Sequence, residues 1–171
     1  MKSRLVFIIL CCFISFGFAQ NTSSIDFVIK NLGINVDGYF NTFTISAKID
    51  IEGDLNSISG KIKASSIKTG IESRDEHLLK DDYFDSENHK FITLVGTELN
   101  KNTDNSYAVV ANLTIKGITK AISLKVNIEK ADDAYKMTAS LEINRKDFNV
   151  GGGSFVLSKT VKINVIHYEK L

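Results

Sequence analysis

Apolar and polar residues alternate one for one along most of this chain. Phe43, Ile45, Ala47, Ile49 and Ile51 fall on one face of an extended segment, with Thr44, Ser46, Lys48, Asp50 and Glu52 on the other. The same period returns in Tyr107, Val109, Ala111, Leu113 and Ile115, in Ile122, Leu124, Val126 and Ile128, and in Tyr135, Met137, Ala139, Leu141 and Ile143. A period of two marks a half-buried strand, because successive side chains of a strand point to opposite faces. Weaker segments extend the series: Ile25, Phe27 and Ile29, then residues 58–67, 91–99 and 161–168, for about eight strands in all. Turn chemistry separates them at Glu52-Gly53-Asp54, 100–105, Lys116-Gly117, Ala131-Asp132-Asp133 and Gly151-Gly152-Gly153.

One apolar and one charged face per strand predict an antiparallel sheet with one solvated side. Eight strands joined by short connections can close into a barrel, which removes exposed edges. Such a barrel is just wide enough to be filled by side chains or to hold one ligand. A two-sheet sandwich fits the same alternation. Small inward positions such as Ala47, Gly60, Ala64, Ala111 and Ala139 either leave room in the interior or form a tightly packed taper.

The alternation breaks at Ser73-Arg74-Asp75-Glu76-His77-Leu78-Leu79-Lys80. Ser73 with Glu76 reads as a capping box, which predicts a helix over 74–80 that starts at Arg74. Two turns are too short to stand alone, so this helix must pack, and the end of a barrel is the available surface. Its charges admit a chemical reading. Asp75, Glu76, His77, Asp85 and His89 make a loose metal-ligand set, but Asp75 and His77 lie two apart and face different ways on a helix. His77 and Asp81 stand at i,i+4, the spacing of an acid–base pair, without a nucleophile or oxyanion motif nearby.

Composition narrows the classes. Residues 1–19 carry basic Lys2 and Arg4, an apolar run from 5 to 16, and small residues Gly17 and Ala19, the pattern of a secretory signal peptide. The run is shorter than the roughly 20 residues a membrane-spanning helix needs. One domain over 20–171 is expected to follow. Removing Lys2 and Arg4 from the 21 basic residues leaves 19 against 20 acids, a near balance that offers nothing to nucleic acid. Cys11 and Cys12 both fall inside the leader, so the expected mature chain has no disulfide and no cysteine chemistry. It contains no proline.

Several of these stretches, taken in order, resemble the YceI-like family of exported bacterial proteins. They are Phe27-Val28-Ile29-Lys30-Asn31-Leu32-Gly33 with Val36-x-Gly38-x-Phe40, then Ser66-Ile67-Lys68-Thr69-Gly70, and then Arg74-Asp75-x-His77-Leu78 with Asp82-Tyr83-Phe84-Asp85. Leu113-Thr114-Ile115-Lys116-Gly117-Ile118-Thr119-Lys120 and Asn144-Arg145-x-Asp147-Phe148 complete the set. Lys90 and Ala121 stand where that family usually has proline, and Asn149 where it has glycine. The resemblance implies an all-β, eight-stranded, lipocalin-like antiparallel barrel with one short helix near one end. It also implies an apolar tunnel for a long isoprenoid chain or similar amphiphile, and an exported, often periplasmic, binding or carrier protein.

The inward faces then propose the lining: Ile45, Ala47, Ile49, Ile62, Ala64, Val95, Val109, Ala111, Leu113, Leu124, Val126, Leu141 and Ile143, with Leu78, Leu79 and Phe84 closing one end. Arg74, Asp75, His77, Asn144, Arg145, Asp147 and Phe148 are expected to be structural. The expected partner is a small hydrophobic ligand, without a metal or other cofactor, catalysis, or lasting membrane insertion once the leader is cleaved; a second copy of the chain stays open. The alternatives are a hydrolase or metal enzyme centred on His77, and a filled barrel serving as an interaction domain.

Overall fold

The structure is a computed structural model and describes residues 22–131 and 133–170. The expected leader at 1–19 lies outside the described residues. Within them the chain forms β1 (Ser24–Asn31), β2 (Ile34–Phe40), β3 (Phe43–Ile49), β4 (Leu55–Lys63), a 3-10 turn (Ala64–Ser66) and β5 (Ile67–Lys68). Helix α1 (Glu72–Leu78) follows, then β6 (Phe91–Lys101), β7 (Ser106–Ile115), β8 (Ile118–Ala131), β9 (Ala134–Asn144), a second 3-10 turn (Arg145–Phe148) and β10 (Leu157–Lys170). These strands make one sheet in the order β3-β4-β6-β7-β8-β9-β10-β1-β2-β5, antiparallel at each junction.

Ten strands are observed where about eight are expected, and geometry explains the difference. Strands β2 and β3 follow one another through Asn41-Thr42, and β4 runs through the first 3-10 turn into β5. β2 pairs with β1 and β5, whereas β3 pairs with β4. The two bent strands are laced together at the corner. Asn41 N donates to Ser66 O at 3.0 Å, Lys63 N to Thr42 O at 2.9 Å, and Thr42 N to Ser66 Oγ at 3.1 Å. Counted as staves, β2–β3 and β4–β5 are one each, and the sheet curls into an eight-stave barrel. The remaining edge of β3 lies against the end of β10, where Glu169 Oε2 accepts from Ala47 N at 3.0 Å. A side chain takes the place of a backbone acceptor along that seam.

Alternation fails to announce β2 because Gly38 stands at one of its inward positions. Phe27 is its partner across the ladder, and a Cβ on Gly38 would lie 2.2 Å from Phe27 Cζ and 2.8 Å from Lys68 O. The glycine makes room for an aromatic ring laid over the strand. One expected strand position is corrected. Ile51 is fully exposed, because β3 stops at Ile49 and Asp50 turns the chain by accepting from Glu52 N and Asp54 N.

The helix is also corrected, to Glu72–Leu78, two residues earlier than expected and with no capping bond from Ser73. Ile71 O accepts from both Arg74 N and Asp75 N, which fixes the start. Asp75, in the first turn, reaches back and accepts from Thr69 N at 2.8 Å and Thr69 Oγ1 at 2.6 Å. A side-chain bond from the first turn to the incoming chain thus ties down the start of the helix.

Two apolar clusters fill the wall. One, at the helix end, contains Phe27, Phe40, Ile67, Ile92, Ile115 and Phe148. The other, toward the opposite end, contains Ala47, Leu55, Tyr107, Val109, Ala111 and Met137. Charged pairs rim that opposite end. Lys101 Nζ and Tyr107 Oη both donate to Asp54 Oδ1, and Lys125 Nζ donates to Asp104 Oδ2 at 2.8 Å. The Lys101 ammonium foremost, then the Tyr107 hydroxyl, holds the Asp54 carboxyl below its ordinary pKa. Lys125 first, with the Ser106 hydroxyl and amide, does the same for Asp104.

Two predictions follow from these contacts. Gly38→Ala forces the Phe27 ring to move and should lower stability by about 1–3 kcal/mol, read in urea unfolding; an unchanged midpoint refutes the close packing. The two depressed carboxyls have lower pKa values folded than unfolded, so the unfolded chain binds more protons as pH falls. Their contribution is present above the unfolded carboxylate pKa of about 4 and disappears below it. Melting temperature should therefore fall between neutral pH and acid more steeply for the natural chain than for Asp54→Asn/Asp104→Asn.

Candidate functional site

The barrel encloses a cavity of about 350 Å³ whose wall is almost entirely apolar. That volume lies within the roughly 300–1,000 Å³ of small-molecule sites. It is far larger than the voids a packed core tolerates, so the filled-barrel alternative does not fit this interior. Each wall residue is placed by the pleat. Along β1, β9 and β10 every second side chain turns inward, which brings Ile25, Phe27 and Ile29, Leu141 and Ile143, and Val161, Ile163 and Val165 to the cavity.

Of the expected lining, Ile45, Ile62, Leu78, Phe84, Leu113, Leu124, Val126, Leu141 and Ile143 reach the cavity. Ala47, Val109 and Ala111 are buried in the opposite cluster and Ile49 packs against it, so these small residues make a tight taper and not a void. Ala64 is buried in the first 3-10 turn, and Leu79 packs against the helix-end cluster. Val95 is corrected to the outer face, at 52% exposure. It pairs with Ser59 and Asn112, both exposed, while Ile92 and Leu94 turn in. A bulge between Gly96 and Glu98 then shifts the face, so a single parity cannot be carried along β6.

The polar signature residues are occupied with backbone. Arg145 is 3% exposed. Its Nε donates to Ser158 O, Nη1 to Val150 O and Gly151 O, and Nη2 to Ser154 O and Leu157 O. All five guanidinium hydrogens are thereby used on five carbonyls. Burial pulls its pKa below the ordinary arginine value. Arg74 Nε donates to Thr69 Oγ1 at 2.7 Å and Nη2 to Thr69 O at 2.6 Å. Asn144 caps the second 3-10 turn by accepting from Lys146 N and donates to Asp147 Oδ1, and Phe148 is 2% exposed in the core. Asn149 follows at φ 55°, a left-handed position that asparagine tolerates.

His77 lines the cavity edge with half of its side chain exposed. Its ring meets Tyr83 at 5.1 Å, edge to face, and its ionic neighbour is Asp82 at 3.7 Å, not Asp81. Asp81 instead offers its carbonyl to Lys116 Nζ, which also reaches Asn149 O. Among the described residues no three His, Cys, Asp or Glu side chains converge as metal ligands.

Two polar wall residues, His167 and Asn31, lie outside the expected lining. His167 lies between Ser23 Oγ, 3.1 Å from Nδ1, and Glu169 Oε2, 3.2 Å from Nε2, on the seam beside β3. Asn31 ends β1 at a bulge, and its buried Oδ1 has no hydrogen-bond partner among the described residues. Asn31 stands at an inward parity position after Ile25, Phe27 and Ile29, which is the signal that places it in the wall.

These features define a lipocalin-like barrel around an apolar ligand cavity. Residues 16–166 match the YceI-like domain, and the chain belongs to that family. A UPF0312 protein of Staphylococcus epidermidis is 32% identical over 166 residues, covering 86% of this chain and 92% of its own length. A UPF0312 protein of Staphylococcus aureus is 31% identical with the same coverage. Among solved structures, Burkholderia cenocepacia BcnA shares the fold with a TM-score of 0.79 at 23% identity, over 84% of this chain and 94% of its own. A Saccharophagus degradans polyisoprenoid binding domain, implicated in plant cell wall breakdown, superposes with a TM-score of 0.67 at 20% identity, over 88% and 95%.

Arg145→Met should strip the 150–158 loop of its donors and cost about 3 kcal/mol or more, because several carbonyls lose a charged partner together. Arg145→Lys should recover only a fraction, since an ammonium has three donors and no fork. Urea unfolding of both variants tests this, and a Met variant of natural stability would overturn the role.

Proposed function

We propose that this protein binds a long apolar amphiphile of the isoprenoid class in the barrel interior and carries it without performing chemistry on it. The single observation that carries this is the cavity: roughly the volume of a small-molecule site, walled by aliphatic and aromatic side chains, inside a curled antiparallel sheet. Such a wall offers a ligand desolvation and little else. Burying a methylene contributes about 0.8 kcal/mol, so one five-carbon unit contributes about 4 kcal/mol gross. Association costs about 4–15 kcal/mol, and four to five sequestered units then reach about micromolar affinity. The polyisoprenoid binding domain of Saccharophagus degradans, which shares the fold, supports this class of ligand.

Lack of chemistry is part of the proposal. The cationic groups nearest the cavity, Arg74 and Arg145, are engaged with Thr69 and with loop carbonyls, His77 faces Asp82 and Tyr83, and His167 is held between Ser23 and Glu169. Export rests on the leader-like segment at 1–19, and an exported location, periplasmic or secreted, is proposed on that ground.

Organic extraction of protein purified from its native host, followed by mass spectrometry, should release a prenyl or fatty amphiphile in stoichiometric amount. Replacing Leu141 and Ile163 by Gln on the facing wall should abolish uptake of a fluorescent polyprenyl probe. Protein that is empty and takes up no isoprenoid or fatty chain in titration would overturn the reading. Retained folding with metal-dependent hydrolysis lost in His77→Ala would favour the enzyme alternative.

A further inference from the structure

Of the large apolar side chains exposed on this barrel, which include Ile51, Ile71, Phe91 and Val95, four come from two segments that meet. Leu32 and Ile34 are each 72% exposed, Phe155 is fully exposed and Val156 is 51% exposed. They form one patch: Leu32 N donates to Val156 O at 3.0 Å, and Asn31 pairs with both Ile34 and Leu157. Val156 also lines the cavity, so the patch adjoins a point where the cavity meets solvent.

The fold does not require these residues to be apolar. Leu32 and Gly33 turn the β1–β2 hairpin with φ of 51° and 81°. A two-residue turn with both φ positive favours Asn-Gly, and a leucine there is strained. With most of its side chain exposed, Leu32 regains little of that cost by packing. Charge sets the patch apart as well. No acid lies between Asp26 and Asp37, and none between Asp147 and Glu169, in a chain with 20 acids. The charges nearest the patch in sequence are Lys30 and Lys159, both exposed.

We infer that this patch docks on a lipid bilayer and sets the cavity mouth against it. Leu32, Ile34 and Phe155 enter the interfacial region, and Lys30 and Lys159 lie at headgroup level, where lysine is favoured beside anionic lipid. The inference rests on the proposed amphiphile cargo, because a ligand whose tail dissolves in a bilayer must leave and enter one. Asn31, with its unpartnered oxygen beside the mouth, is placed where the cargo's polar end would remain.

The test uses the triple variant Leu32→Asn, Ile34→Thr and Phe155→Ser, which keeps the turn and strand preferences and leaves the cavity wall untouched. The natural protein should co-sediment with vesicles of phosphatidylethanolamine and phosphatidylglycerol. The variant should partition about tenfold less or weaker, at equal melting temperature. Uptake of a detergent-solubilised polyprenol should be equal in both, and transfer from vesicles should slow in the variant. Equal vesicle binding by both proteins, or none by either, overturns the inference. A dimer of the natural chain that the variant converts to monomer in sedimentation velocity overturns it in favour of self-association. Failure of the cargo reading is distinct: it appears as vesicle docking with no polyprenol uptake by either protein.

Discussion

An antiparallel sheet that surrounds an unfilled space must close on itself with its backbone groups paired, and the rest of this molecule follows from how it does so. An open edge beside an apolar cavity would leave donors and acceptors without water or partners. Here closure is achieved by bending two strands at the Thr42–Ser66 corner, so that β2 serves β1 and β5 while β3 serves β4. Where the ladder gives out, the Glu169 carboxylate takes Ala47 N. The cavity is the space left when closure is complete and the side chains of the opposite end pack tightly.

The polar residues that look most like chemistry serve that closure. Arg145 spends each of its donors on a loop that would otherwise bury unpaired carbonyls, and Arg74 and Asp75 together grip Thr69 at the entry to the helix. A charged residue that is satisfied by backbone has little left to offer a ligand. This explains how a wall can be crossed by arginines and still present an apolar surface.

Net charge hides a local arrangement. Near balance over the chain offers no long-range attraction to an anionic partner, yet the β1–β2 turn and the loop before β10 share an acid-free stretch with exposed leucine, isoleucine and phenylalanine. The two loops are more than a hundred residues apart in sequence and come together only because β1 pairs with β10. Together with the adjoining cavity mouth, they give the barrel a distinct end in the plane where a lipid would pass.

Alternation by itself determined most of the wall. In β7, β8 and β9 each inward residue read from the sequence is buried or half-buried, because a regular ladder keeps the period of two from end to end. Turn chemistry likewise placed Lys116-Gly117, and the order of signature stretches identified the family. Tertiary structure decided what a period cannot carry. The bulge after Gly96 broke the single parity that would have put Val95 inside, Gly38 concealed β2 by yielding its inward position to the Phe27 ring, and the helix began after Ile71 without the Ser73 cap. Whether small inward residues leave a cavity or close a taper was also decided there: Ala111 and Ala47 are enclosed by neighbours, while the space opens among Ile62, Leu113 and Ile143. A sequence states which face a side chain takes. How much room remains in front of it depends on the strands opposite.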